Sequence, residues 1–564
     1  MIIKKEPQDI WAEYQKGVEY NEQIDLYDTV QENEDFFIGR QWVGVRAPDL
    51  QKPVLNILKR CVTYFISTIT SDDVGVQFHS FNNDDDTEEL MRIFSRDVDR
   101  IMEHDRTKDK LRTVIRNSAV DGDGALYWFW DSKAKSSGKA VGDIRSEIIP
   151  NINIIAGNPY GSSLDLQSQP WLIVAMRKPL DEVKDEARAN GVREWNSIVA
   201  DSDSNQGEEG DPSDLCTVIV KLWKDKDGEV HAIKSTQTQY VRTEWSTGCR
   251  LYPVAWMPWD TVRSSYHGQA AVSGLIPNQI AINKLFAMYI KSVETMAFPK
   301  IVYNQTMFPR GWSNRVGEAV GIVGDPNQAA VSVLRGGDVS SQVMDVIDRC
   351  INLTKDCMGA NDAALGDVKV ENAAASAIIA TQQAAAAPLE LQRQAFFSFV
   401  EQSVRIIVDF MANYYGIRTV TFEEAGENQI DPTTGMPIEG EGETKKKAIN
   451  YGCIHDIVDD LEVNVGDSAY WSELAQQQTL DNLLQQGIIT DVVDYLEAIP
   501  DKWLKNKAKL IESAKKAQEA AQQQAGAMPQ PTQQALPKDN TEQMLNTTGA
   551  QNEQRMKNIF NAAQ

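Results

Sequence analysis

The sequence predicts an α+β protein, mostly helical, and three observations carry that reading. Through roughly the first 260 residues, strand-like stretches such as "VGVQFHSF" (74–81) and "PWLIVAMRK" are interleaved with charged helical ones. From 272 onward long helical periodicity takes over, with a narrow apolar stripe in place of a broad face. Residues 371–392, "ENAAASAIIATQQAAAAPLELQ", consist of strong helix formers with almost nothing bulky on them.

Taken in order, residues 8–46 set aromatic and acidic positions at helical spacing (Trp11, Tyr14, Val18, Tyr27), and 54–70 form an apolar helix. That helix carries Lys59 and Arg60 and is too short to span a bilayer. The N-terminus turns acidic after six residues and has no long apolar core, so no signal peptide is expected. A charged helical stretch over 87–122 leads into the strand "GALYWFW" (124–130). Strands follow at "DIRSEIIP" and "PWLIVAMRK", and Gly191 stops the helix after the second. The polar run 201–214 reads as an exposed loop. Beyond it, "LCTVIVKLWKDKDGEVHAIKS" supplies strands joined at "KDGE", a hairpin signal, and "TQYVRTEW" another.

The second half is organised differently. A long helix over 272–298 ends before Pro299, with Leu275, Ile282, Phe286, Tyr289, Val293 and Met296 as its stripe. Residues 299–338 are rich in Gly, Pro and short β-like runs, and a second helix spans 339–359 with Val343, Ile347, Cys350 and Cys357 on one face. A polar loop, 361–372, precedes the slender helix, which reads as continuing to Gly416. Unbroken, those residues would reach roughly 65 Å. Pro388 must kink it, because proline removes a hydrogen bond and clashes with the preceding turn. Strands at 417–424 and 459–468 flank a loop, 472–524 is helical, and the tail is Gln-rich and of low complexity.

No chemistry-bearing constellation emerges. Six scattered cysteines make no CxxC pair, and Cys350 and Cys357 read as small buried apolar groups. "KSSGKA" lacks the first glycine and the hydroxyl of a phosphate-cradling loop, and in "DGDGALY" Tyr127 stands where a dinucleotide loop needs glycine. "DSDSNQGEE" fails as a calcium loop at Gln206 and Pro212. The acidic run "NNDDDTEEL" reads as the solvated cap of a helix, with a divalent-ion site as the alternative. Five dispersed histidines form no HxxxH, and "HDIVDD" (455–460) has no nucleophile near it. No catalytic residue, cofactor or metal is expected.

The net charge of −25 argues against static nucleic-acid binding, which rests on Lys and Arg neutralising phosphates, and against docking on an anionic membrane. A helix of small residues suits close approach to a neighbour, or a wall beside an open passage. A narrow seam on 272–298 suits helix-to-helix packing between identical copies in a closed ring. A slender helix inside a monomer core is the competing reading.

In their order and spacing, three stretches resemble the tailed-bacteriophage portal proteins, and the Gln-rich extension after about residue 525 resembles the podovirus type with an extended C-terminal barrel. The three stretches are "NEDFFIGRQW" with "PVLNILKRCVTYFISTIT", then "YHGQAAVSGLIPNQIAINKLFAMYIKSVETMAFPKIV", then "MGANDAALGDVKVENAAASAIIATQQAAAAPLELQ". The resemblance covers essentially the whole chain and implies a portal fold: an α/β wing (1–265 and 417–470), stem helices (266–298 and 339–359) and a β-containing clip (299–338). It further implies a tunnel loop (360–372), a long kinked helix (373–416), a crown (471–524) and a C-terminal tail or barrel (525–564). The implied assembly is a homo-oligomeric ring, of twelve copies, at one capsid vertex in the virion, built in the host cytoplasm. Double-stranded DNA passes through it in packaging and ejection. Its implied partners are the terminase large subunit, head–tail adaptor or tail proteins, and capsid and scaffolding proteins; no membrane is involved. On this reading Asp367, Lys369, Glu371 and Asn372 face DNA, and Phe308, Arg310, Trp312 and Arg315 dock terminase or adaptor. Leu275, Ile282, Phe286 and Val293 pack subunits together along the stem. Acidity then has a purpose, because a conduit must not hold what it conducts. Two other readings stand beside this one: an α-rich viral scaffolding or other assembly protein without a channel, and a metal-dependent nuclease using Asp84–Asp86.

Overall fold

The computed structural model describes residues 3–70, 76–80, 85–136, 139–140, 142–201, 215–297, 300–308, 311, 321–325, 331–334, 342–357, 359, 387–430, 437–454 and 461–465. The chain divides into two units, Met1–Trp471 and Ser472–Gln564, and every described residue belongs to the first. The regions read as crown and tail therefore lie outside the described residues.

Local chemistry sets the first elements. Pro7 opens α1 (Pro7–Gln23), where its missing N–H costs nothing. Ile10, Trp11, Tyr14 and Val18 give this helix one buried face. Gly17 lies so close to Ile155 that a Cβ there would sit 2.2 Å from Cγ2 of that residue. Gly39 ends α2 (Leu26–Ile38) in the left-handed region, and the Asn56 side chain caps α3 (Ile57–Ile69) by accepting from the Lys59 N–H. After β1 (Val76–Ser80), the charged stretch read as continuous is two helices, α4 (Asp85–His104) and α5 (Thr107–Asp121). The break is made by buried Asp105, whose carboxylate accepts from Lys110 Nζ at 2.6 Å, from the Ser146 N–H at 3.0 Å and from the Ser146 hydroxyl, and by Arg106 at φ 54°.

Two antiparallel sheets form the body. The first has the order β11 (Val254–Pro258), β2 (Asp123–Asp131), β5 (Asp143–Ile149). A two-residue ladder, β3 (Lys135–Ser136) with β4 (Lys139–Ala140), lies between β2 and β5 in sequence. The second runs β10 (Tyr240–Ser246), β9 (Val230–Ser235), β8 (Leu215–Lys224), β7 (Trp171–Pro179), β6 (Ile154–Ala156), with α6 (Leu180–Ala189) following β7. Strand alternation divides the side chains among cores. On β7, Leu172 and Val174 join the core that also holds Ala125 and Val254 of the first sheet, whereas Trp171, Ile173 and Ala175 pack with Ile10, Trp11 and Tyr14 of α1. On β2, Leu126 and Trp128 point the other way, into the largest core, with α3, α4, α5 and α9 (Glu390–Tyr414). The body is thus α1, sheet, sheet, helices. Inside it, fully buried Lys221 extends its Nζ to Glu13 at 2.5 Å and to the Lys4 carbonyl at 2.9 Å, over the Trp171 ring.

The second half hangs on α9, whose Phe396, Phe399, Val400, Val404 and Ile407 are buried. Asp409 on this helix accepts the N–H groups of Arg250 (2.7 Å) and Leu251 (2.9 Å) at the approach to β11. α7 (Ile276–Ala297) packs against α8 (Gln342–Cys357), and between them in sequence β12 (Lys300–Tyr303) pairs with β13 (Val331–Leu334). The stretch read as a loop after 424 is instead half of a long hairpin, β14 (Ile417–Ile430) with β15 (Pro437–Asn450). Its polar, Gly-containing second strand lacks the apolar alternation that marks a strand in sequence. β16 (Leu461–Val465) pairs antiparallel with β1, returning the chain to the N-terminal body. Two cysteines depart from their reading: Cys357 is exposed and Cys350 half-buried, while Cys61, Cys216 and Cys249 are the buried ones. Burial pushes the Cys61 thiol up to about 11, which makes it inert at neutral pH.

Candidate functional site

The head of α7 is set into the body by polar as well as apolar side chains. Ile276, Ile282 and Ala287 are buried, and so are Gln279 and Asn283 on the same face. Asn283 Nδ2 donates to Gln41 Oε1 at 2.6 Å, and its Oδ1 accepts from Gln279 Nε2 at 3.1 Å and from the Leu55 N–H at 3.3 Å. Gln279 Nε2 also donates to the Leu55 carbonyl at 2.6 Å, and Gln41 Nε2 to the Phe36 carbonyl at 2.9 Å. Two side chains of one helix thus grip the α2–α3 connection, and buried amides of this kind fix orientation because each loses a full hydrogen bond if the helix slips.

Just before α7, Ser273 is tied to Asn33 of α2, whose Nδ2 donates to Ser273 Oγ and to the Val120 carbonyl, both at 2.8 Å. Beside it lies a charged cluster. Glu34 pairs with Arg116, and His267 Nδ1 stands 2.9 Å from the Asp123 carboxylate. Asp121, at the end of α5, is pushed up to about 7, first by burial, with Glu34 and Asp123 adding repulsion and Arg116 opposing it.

Past Ala287 the character of α7 changes. Met288 is 53% exposed, and Val293 and Met296 are 40% each. On α8, Val346 (49%) and Leu353 (57%), seven apart and so on one face, are equally bare, whereas Ile347 is buried. Of the four positions assigned to packing between copies, Ile282 is fully buried in the chain's own core, Leu275 and Phe286 are half-buried and Val293 is exposed. Ile282 therefore has no surface to offer another molecule. The apolar surface that remains is the C-terminal half of α7 and the Val346–Leu353 face of α8.

At the far end, Phe308 is buried edge-on to Tyr303 of β12, ring centroids 5.7 Å apart, so it serves the fold of this region. Arg310, Trp312 and Arg315 lie outside the described residues, as do Asp367, Lys369, Glu371 and Asn372. The segment holding those last four leaves and returns at one place: a Cβ on Gly359 would lie 2.9 Å from the Pro388 Cβ. Pro388 itself occupies a 3-10 turn, Ala387–Leu389, at the head of α9. Asp84 and the 455–460 run are likewise outside the described residues.

The fold also assembles a group that sequence reading passed over. Asp225, Glu229 and His231, at the β8–β9 turn, bring donor atoms within 4.8 Å of one another. Their D-x3-E-x-H spacing is visible in sequence, but a hairpin turn reads the same way. No helix among the described residues is long and apolar enough to cross a membrane.

Residues 204–562, nearly two thirds of the chain, match the family model described as "Phage P22-like portal protein". No curated protein matches the sequence.

Proposed function

The chain belongs to the phage P22-like portal proteins, and from that premise we propose how its parts serve a DNA conduit. It is a structural protein of the virion, the head–tail connector at the capsid vertex through which the genome is packaged and ejected; the scaffolding-protein alternative is not favoured. Portal proteins in general form rings that work with capsid, terminase and tail components. We infer that this ring has twelve copies. The observation that carries the reading is the bare apolar surface of α7 and α8: Met288, Val293 and Met296 on one helix and Val346 and Leu353 on the other are exposed in the single chain, and the two helices pack together. Neighbouring copies would cover them, making α7 and α8 the stem.

The remaining parts follow from that assignment. Residues 299–338 form the clip, the sheets with 417–470 the wing, 471–524 the crown and 525–564 a C-terminal barrel of the podovirus kind. Residues 360–372 form the tunnel loop. The close approach of Gly359 and Pro388 supports that placement, because a helix running back from 387 to 373 is about 22 Å long and thirteen extended residues reach about 45 Å. The loop can therefore turn back along such a helix. Lys369 touches passing phosphates while Asp367, Glu371 and the net charge of −25 keep the duplex sliding. Arg310, Trp312 and Arg315 dock the terminase large subunit and later the tail adaptor, aromatic and arginine anchors being what such interfaces favour. Assembly takes place in the host cytoplasm.

Trp312→Ala tests the docking assignment. Expected is weaker capture of terminase by intact rings; loss of the rings themselves would move Trp312 to the contact between copies.

A further inference from the structure

We propose that the β8–β9 turn binds a divalent first-row transition-metal ion, of the zinc or manganese kind, through Asp225, Glu229 and His231. Three side chains within 4.8 Å are the starting point, and the positions around them are what make them a ligand set. Asp225 is fixed by its own turn: Oδ1 accepts the N–H groups of Asp227 (2.9 Å) and Glu229 (3.0 Å). Those bonds leave Oδ2 directed at His231 Nε2, 3.5 Å away. The Ser246 hydroxyl donates to Oε1 of Glu229, holding that carboxylate in place.

His231 is oriented from both sides. Its ring stacks on Trp223, its cross-strand partner, with centroids 5.8 Å apart and planes at 25°. Its Nδ1 makes no aligned hydrogen bond but stands 3.4 Å from Oε1 of Glu244, and Glu244 is held by Lys5 Nζ at 2.6 and 2.8 Å. A carboxylate behind the far nitrogen of a histidine is the arrangement that orients a metal-binding imidazole and presents Nε2 to the ion. Lys5 neutralises this backing carboxylate and leaves two negative charges, those of Asp225 and Glu229, for a doubly charged ion.

Nitrogen among the donors selects against calcium and magnesium and for the borderline metals. Ordinary ligand distances of about 2.0–2.2 Å require each donor to move inward by less than about 1 Å, a small adjustment for side chains at an exposed turn. Asp225 is exposed, so the ion enters from solvent without opening the core. Once bound, it clamps the turn to β9 at the place where the N-terminal segment, through Lys5, meets β10.

The test titrates the chelator-treated full chain with Zn2+ by calorimetry, and with Co2+ by absorption, which reports nitrogen and oxygen ligation directly. Expected is one equivalent per chain, with affinity reduced by roughly 10- to 100-fold in Glu244→Gln and site binding lost in His231→Gln and Asp225→Asn. Asp225→Asn keeps the Oδ1 acceptor of the turn, so an unchanged circular dichroism spectrum separates lost ligation from misfolding. Absence of uptake, or uptake unaltered in both ligand variants, overturns the proposal.

Discussion

Replacing Asn283 by leucine tests how the helix pair is held to the body. Leucine has nearly the same size, so little cavity forms, but one buried and one half-buried group lose their partners. Gln41 Oε1 loses its 2.6 Å donor, and the Leu55 N–H loses the acceptor at 3.3 Å. Gln279 keeps its bond to the Leu55 carbonyl and is affected less. An unsatisfied buried polar group costs about 1–3 kcal/mol, and the longer Leu55 bond belongs at the low end, so Asn283→Leu should destabilise by roughly 2–4 kcal/mol. The assay is denaturant unfolding with the Gln41→Leu and double variants completing a cycle. Replacing both partners removes the orphaned carbonyl, so the double variant should lose at least about 1 kcal/mol less than the sum of the singles. Hydrogen exchange supplies the local readout: the Leu55 amide should lose protection in Asn283→Leu. A cost below about 0.5 kcal/mol, the range of ordinary surface changes, or strict additivity with Gln41→Leu, would refute the grip assigned to this network.

Other perturbations test neighbouring parts. Asp121, raised to about 7 from a carboxylate's 3.8, favours folding fully below about pH 4, and that contribution is lost as pH rises through 7. Asp121→Asn should therefore gain on the parent by up to about 4 kcal/mol between pH 4 and 8, read from unfolding midpoints across pH; parallel profiles would contradict the shift. Glu13→Leu strands the buried Lys221 ammonium and should cost about 3–5 kcal/mol, whereas adding Lys221→Met should recover much of it in a thermal melt. Val293→Asp and Leu353→Asp change exposed sites, so the single chain's melting temperature should move little. Ring assembly, followed by light scattering, should fail, because burying such side chains contributes about 1.5–3 kcal/mol each in every copy.

Much of this fold is legible in sequence because single elements carry their own signals. The apolar run Trp171–Met176 of β7, buried on both faces, and the "KDGE" turn are read directly, as is Gly191 just past the end of α6. What escapes depends on distant partners. The α4–α5 break exists because Asp105 is held by Ser146, some forty residues away, and nothing local announces it. The β14–β15 hairpin escapes because its second strand is polar. Periodicity finds the stripe on α7 but cannot divide it: Ile282 and Val293 look alike in sequence, yet one is fully buried in the largest core while the other is exposed and no part of it. The Asp225–Glu229–His231 group needs Glu244 from the next strand before it differs from any charged turn.

The most direct measurement is end-on electron microscopy of the purified chain, with particle mass determined on the same sample. Annular particles of about twelve times the single-chain mass, with α7 and α8 lining the contacts between copies, are the expected result. A single chain under every assembly condition, with Met288, Val293 and Leu353 still freely labelled by solvent-borne carbene probes, would contradict the account.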